Sequence, residues 1–287
     1  VVSAEWGTGP GRLGRVIGQE GDPLGPSSMG VDDRGRVYVL DAANERVVRF
    51  VDGSADREWK LPGREFEDLV VSRDRFAVLD RWDDRRVLVF DADGGVVATL
   101  PIASQVPALM HLSIVDGEVL VEAPGTDRVA FHAIGRLDGT VYEPSAQARR
   151  RAEGAVTPAG TVLVARRTGK NDASVDVLGK DGRVRSKLRA HASREVAAIV
   201  DITGDREGSV WVVWALHKQL SKDTDERRGW LVVSKFAPDG ELLGSVQTDD
   251  SSFPEPFRRF ALSEEGELYQ LVCSEQGTQV LHWTLGR

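Results

Sequence analysis

The feature that most limits this chain is a hairpin that returns six times. Tight polar turns at Gly35, Asp74, Gly117, Gly160, Gly208 and Gly266 each lead into an apolar run: RVYVL, RFAVL, EVLVE, TVLVA, SVWVV and ELYQL. Their separations are 39, 43, 43, 48 and 58 residues. A second turn, Asp-Gly, occurs at Asp52-Gly53, Asp93-Gly94, Asp138-Gly139, Asp181-Gly182 and Asp239-Gly240. Asp-Gly suits a two-residue hairpin, whose central residues both need positive φ. Short apolar alternations lie between Gly, Asp and Pro, and helical periodicity is almost absent, so the chain reads as many short strands.

A period of about 40 to 50 residues holding four strands is that of a β-propeller blade. A β-sandwich or two small barrels would not repeat a fixed turn order at near-constant spacing. The sequence therefore predicts an all-β fold, one six-bladed β-propeller over residues 1–287. The expected blades are 26–61, 62–102, 103–146, 149–190, 194–249 and 253–287, the last completed by 11–19. A closed ring must join its last blade to its first, because an open one exposes an unpaired edge. The sixth unit supplies RRFALS, ELYQLV and QVLHWTL but no fourth strand, and GRLGRVIGQ at 11–19 has no unit of its own. Leu13-Gly14-Arg15-Val16 also resembles Leu243-Gly244-Ser245-Val246 in the fifth unit. Residues 12–18 are thus expected as the outer strand of the last blade, which would explain why the Asp-Gly turn between third and fourth strands occurs five times beside six of the other kind.

Residues 29–53 contain Val39-Leu40-Asp41 and Asn44-Glu45-Arg46-Val47, and the next unit contains Val78-Leu79-Asp80 and Arg86-Val87. These stretches resemble the NHL repeat family, with its V-x-D strand end and N-x-R-V stretch. The third unit keeps Asp127-Arg128-Val129, and in the last three the Asp position holds Arg166, Trp214 and Val272, so the likeness there is one of architecture. The resemblance implies a propeller and, for Asp41 and Asp80, a structural role as acceptors within their own loops. The family includes binding platforms and a few lyases and hydrolases, so it implies fold far more than activity. Bacterial propellers of this type are often exported, and the resemblance thus implies a periplasmic, envelope-associated or extracellular location.

Composition removes several functions. A net charge of −8 opposes general nucleic-acid binding, which needs a concentrated positive face. No apolar run approaches the roughly 20 residues of a membrane span. The single cysteine, Cys273, rules out an intrachain disulfide and a cysteine metal cluster, and its apolar setting reads as core. The five histidines are scattered and only two asparagines occur, Asn44 and Asn171, so neither a metal nor another cofactor is expected. No nucleophile elbow or phosphate-binding Gly loop is present. The chain opens VVSAEWGTGPG, which reads as a mature exported or a trimmed form.

Ligand sites in propellers lie on the face that carries the b–c loops and the connectors between blades. Three features are expected there. Trp82 stands in the polar loop DRWDDRR and is the aromatic most suited to a partner or a sugar ring. WALHKQLSKDTDERRGW, residues 214–230, is the longest b–c loop and reads as a flap or docking element, with His217, Lys218, Arg227 and Arg228 as contacts. Arg151, Arg166, Arg167, Arg258 and Arg259 form a third group, which could converge on a carboxylate or phosphate. The expected function is a non-enzymatic scaffold that binds a protein or glycan partner, as a subunit of a larger or envelope-associated assembly. The alternative is a lactonase-like hydrolase or lyase at the channel mouth.

Overall fold

The computed structural model describes residues 1–17, 23–106, 108–124, 129–143, 149–151, 154–179, 181–220, 227–250 and 252–285. Strand β1 is Val2–Ala4. The first sheet is β2 (Ser28–Val31), β3 (Val37–Asp41), β4 (Arg46–Val51) and β5 (Ser54–Lys60), and the second is β6 (Phe66–Ser72), β7 (Arg75–Asp80), β8 (Arg86–Phe90) and β9 (Val96–Pro101). The third is β10 (Leu112–Val115), β11 (Glu118–Pro124), β12 (Val129–Arg136) and β13 (Arg149–Arg151). The fourth is β14 (Ala155–Val156), β15 (Val162–Arg167), β16 (Asp172–Leu178) and β17 (Val184–His191). The fifth is β18 (Val196–Gly204), β19 (Val210–Leu220), β20 (Arg227–Phe236) and β21 (Leu242–Asp249). The sixth joins β22 (Phe260–Leu262), β23 (Leu268–Cys273) and β24 (Thr278–Trp283) to β1. Within each sheet the strands pair antiparallel. These are the six blades of an all-β propeller, the sixth completed by an N-terminal strand.

Two compact units are distinguishable: Val1–Arg151 with Ser252–Trp283, and Ala152–Ser251 with Thr284–Arg287. In the first two blades the central strands are buried on both faces, whereas β24 of the sixth alternates buried and open positions. VYVLD of β3 is buried throughout, and RVVRFV of β4 is buried except at its last residue, whereas outer β5 buries only Trp59. Apolar residues therefore fill layers between successive sheets. Tyr38, Leu40, Val47, Trp59, Phe76 and Phe90 pack between the first two, with Trp59 5.1 Å from Phe76 and Phe76 stacked 4.8 Å from Phe90. A second layer runs from Leu79 and Val87 to Val119 and Ile134. In the smaller unit Leu163, Val175, Val212, Trp214 and Phe236 make a corresponding layer.

The closing strand is Val2–Ala4, not residues 11–19. Val2 pairs with Val280 and Ala4 with Thr278, and both side chains are buried. The predicted segment instead crosses the end of the first sheet, with one bridge from Leu13 to Trp6 and one from Val16 to Leu24, and its last two residues, 18 and 19, lie outside the described residues. Specific polar contacts hold it there. The Gly14 amide donates to Asp41 Oδ1, Asn44 donates to the Gly7 carbonyl, and Arg46 donates to the carbonyls of Thr8, Gly9 and Arg12. A Cβ at Gly14 would lie 2.8 Å from Ala43 and Asn44. The Leu-Gly-x-Val likeness to the fifth blade is thus not a shared strand position.

The Asp-Gly turns also differ from expectation. Of these five, only Asp52-Gly53 has positive φ at both residues (47° and 82°); the Asp116-Gly117 turn of the first kind has it too (51° and 78°). At Asp93-Gly94 only the glycine is left-handed (φ 90°), and Asp91 caps the loop by accepting the amides of Asp93 and Gly95. The same upstream carboxylate cap recurs at Asp32 and Asp205 in turns between the first two strands of a blade. A type I turn followed by one left-handed glycine satisfies the hairpin with less demand on the preceding residue.

Deleting residues 1–6 removes the burial of Val2 and Ala4 and uncovers the edge of β24. Stability should fall by about 2–4 kcal/mol, read as a lower urea midpoint with an unchanged slope. An unchanged midpoint would contradict the assignment of β1 as the closing strand.

Candidate binding site

The connector end of the larger unit is organised around one carboxylate. Asp68, fully buried in β6, accepts the Ser28 hydroxyl at 3.0 Å, the amide of Leu69 at 3.0 Å and the amide of Leu112 at 2.7 Å. Arg258 grips it from the segment before β22 through two hydrogen bonds of 2.7 and 2.6 Å, and also donates to the Leu112 carbonyl at 2.7 Å. The Arg258 amide donates to the Ser27 carbonyl. One ion pair thus ties together inner-strand ends of the first three blades and the entry to the sixth. Burial alone would push the Asp68 carboxyl up, but the charge and hydrogen bonds of Arg258, helped by His111, outweigh it and hold the carboxyl well below the ordinary range.

A column of rings and cations stands beside this pair. The His111 ring lies 4.7 Å from Phe257, and its Nδ1 is 3.7 Å from Asp68. The Arg81 guanidinium lies 4.7 Å from the Phe257 ring centre and 4.6 Å from that of Trp82. Arg81 is fixed by an ion pair with Glu67 and a 3.2 Å hydrogen bond to the Leu109 carbonyl. Asp80 accepts the amides of Asp83 and Asp84 at 3.0 and 3.1 Å, which sets the turn after Trp82. Trp82 remains 64% exposed at the outer end of the column. The arrangement offers a positioned aromatic surface, and Asp68 and Arg258 satisfy each other beside it.

The arginines chosen from sequence divide between the two units, Arg151, Arg258 and Arg259 in the larger and Arg166 and Arg167 in the smaller. Arg258 is committed to Asp68. Arg259 is buried, with its guanidinium over the Phe260 ring at 5.8 Å. Arg151 lies in β13, the outer strand of the third sheet, rather than in a connector; a charged run at an outer edge was read as loop although edge strands commonly carry charge. In the smaller unit, Arg166 and Arg167 end β15; Arg166 is 3.9 Å from Asp176, and Arg167 donates to the Val196 carbonyl at 3.0 Å. His217 lies 3.6 Å from Glu195, which also sits 3.4 Å from Lys170.

The 214–230 segment is chiefly strand, not a long loop. β19 and β20 continue their ladder to Leu220 and Arg227, with a bulge between Leu216 and Gln219. Trp214 is buried in the core layer and Trp230 lies 5.8 Å from Arg194. Lys218, Arg227 and Arg228 belong to these strands, their side chains and residues 221–226 lying outside the described residues. The charged residues there had masked an alternating strand pattern.

Asp41 and Asp80 both accept hydrogen bonds within their own loops, and Asp41 also takes the Gly14 amide. Asp41 binds Asn44 at 2.8 Å and Arg46 at 3.0 Å, and burial pushes its carboxyl above the ordinary range despite these donors. Cys273 is buried and its thiol is pushed up to about 11, mainly by desolvation, so it behaves as core. Among the described residues, no group of three or more His, Cys, Asp or Glu side chains is placed to hold a metal ion. The residues that sequence reading missed are Asp68, Arg81, His111 and Phe257. Asp68 alone carried a signal: a carboxylate inside an apolar strand requires a buried partner.

No protein-family model matches the chain, and no curated protein does. Among solved structures, a member of the DUF4221 family from Bacteroides vulgatus is similar over 90% of this chain and 93% of its own, with a TM-score of 0.53 and 9% identity. A streptogramin B lyase covers 90% and 93% with a TM-score of 0.47 and 11% identity. A virginiamycin B lyase from Staphylococcus aureus covers 91% and 85% with a TM-score of 0.45 and 13% identity. At these identities the likeness is one of fold.

Asp68→Asn leaves Arg258 without its counter-charge and should cost about 3–5 kcal/mol. Because the native Asp68 pKa is depressed, its stabilisation is complete above the unfolded value of about 4 and is lost as pH falls toward the native one. Urea midpoints of the wild type should therefore drop below about pH 4, and the variant should show a shallower drop. Parallel profiles would contradict the assignment.

Proposed function

We propose that the chain is a non-enzymatic, NHL-like binding propeller, a scaffold that engages a protein or glycan partner through its loop face. The observation that carries this reading is Trp82, exposed yet mounted on Arg81, Phe257 and His111. A large ring left in water at the end of an ordered column loses little conformational freedom on binding, which is the property of a recognition anchor. The paired state of Asp68 and Arg258 supports binding over acid–base chemistry, because the fully buried carboxylate at this end is already satisfied. The resemblance of Asp41, Asn44 and Arg46 to NHL repeats supports the same role and an exported, envelope-associated setting, where the chain would act as a subunit of a larger assembly.

The test is a screen of labelled protein against glycan and peptide arrays, with Trp82→Ala in parallel. The reading expects a ligand that the wild type retains, that the variant binds at least about tenfold more weakly, and that is recovered chemically unchanged. Recovery of cleaved ligand would favour a propeller hydrolase or lyase instead. Equal binding by the two proteins would remove Trp82 from the site.

A further inference from the structure

The loop around Trp82 narrows the chemistry of its ligand. One face of the ring is taken by the Arg81 guanidinium at 4.6 Å. A cation on the same ring draws on the same negative π-face, so a second cation, such as a quaternary ammonium, is disfavoured there. The next two residues are exposed carboxylates. Asp84 pairs with Arg86 at 2.9 Å, whereas the Asp83 side chain has no hydrogen-bond or ion-pair partner among the described residues. An unpaired carboxylate repels an anion and accepts hydrogen bonds from hydroxyl groups. The indole N–H of Trp82 likewise has no acceptor among the described residues and is available as a donor. The chain beside the ring is charged at Arg81, Asp83, Asp84, Arg85 and Arg86, which is unlike the charge-depleted core of a protein interface.

A neutral sugar ring meets all of these conditions. Its C–H face lies on the open face of the indole, a hydroxyl donates to Asp83, and another sugar oxygen accepts the indole N–H. We infer that Trp82 and Asp83 form a subsite for a neutral pyranose unit of a glycan, with Arg81 and Phe257 as positioning residues that hold the indole in place. This rests on the binding-platform reading above and specifies which of its partners occupies Trp82.

The test uses the full chain labelled with 15N and follows the indole N–H resonance of Trp82, assigned by its loss in Trp82→Phe. Cellohexaose, mannohexaose, xylohexaose, maltohexaose and hexa-N-acetylchitohexaose serve as neutral probes, oligogalacturonate and chitosan oligomers as charged ones, and a pooled peptide library as the protein-like one. At least one neutral probe should shift the Trp82 resonance saturably. Its affinity should fall at least about tenfold in Trp82→Ala and a few-fold in Asp83→Ala, with melting temperatures unchanged because both residues are exposed. If only a charged probe or the peptides move the resonance, the neutral-sugar inference is overturned and the platform reading stands. If no probe in any class moves it, both are overturned.

Discussion

The ion pair between Asp68 and Arg258 is the interaction on which the larger unit turns. A buried carboxylate is costly unless its oxygens are satisfied, and Asp68 meets that demand with donors from three blades and a guanidinium 190 residues away. The requirement fixes where the inner strands β2, β6 and β10 end relative to one another. It also fixes Arg258, and through the adjacent Phe257 the column that ends at Trp82. A group that contributes to holding blades together thereby also orients the exposed ring.

A second polar knot performs the corresponding task for the N-terminal arm. Asp41, Asn44 and Arg46 bind one another and then the backbone of residues 7–14. The arm leaves β1, crosses the first blade and returns toward β2. Strand β1 is only three residues long, so the carbonyls gripped by Arg46 and Asn44 are a substantial part of what keeps it in place. The arm also buries Leu13 in the core beside Val2 and Ala4, while its Val16 and Ile17 are exposed.

Much of the architecture was legible because propeller blades are local: each hairpin closes within its own forty-odd residues, and its turns carry Gly and Asp for stereochemical reasons. What was not legible depended on distance. The closing strand was placed about ten residues too late, since Leu13 and Val16 are apolar and Val2–Ala4 is too short to show alternation. The hairpin of β19 and β20 was read as a flap because charge obscured its period. Trp82 could be picked out as an aromatic in a charged loop, but Arg81, Phe257 and His111 could not be joined to it, as nothing local to residues 111 or 257 points to residue 82. The arginines were grouped because sequence places them on one predicted face, and nothing local to Arg258 points to its partner Asp68.

The central claim is that the Asp68–Arg258 pair holds the Trp82 column in place. The most direct measurement replaces both partners with apolar residues, Asp68→Leu with Arg258→Met, so that no buried charge is left alone. The order parameter of the Trp82 indole N–H is then compared with that of the fully buried Trp211. The account predicts that Trp82 becomes mobile while Trp211 stays as rigid as in the wild type. An unchanged Trp82 order parameter in a folded double variant would contradict it.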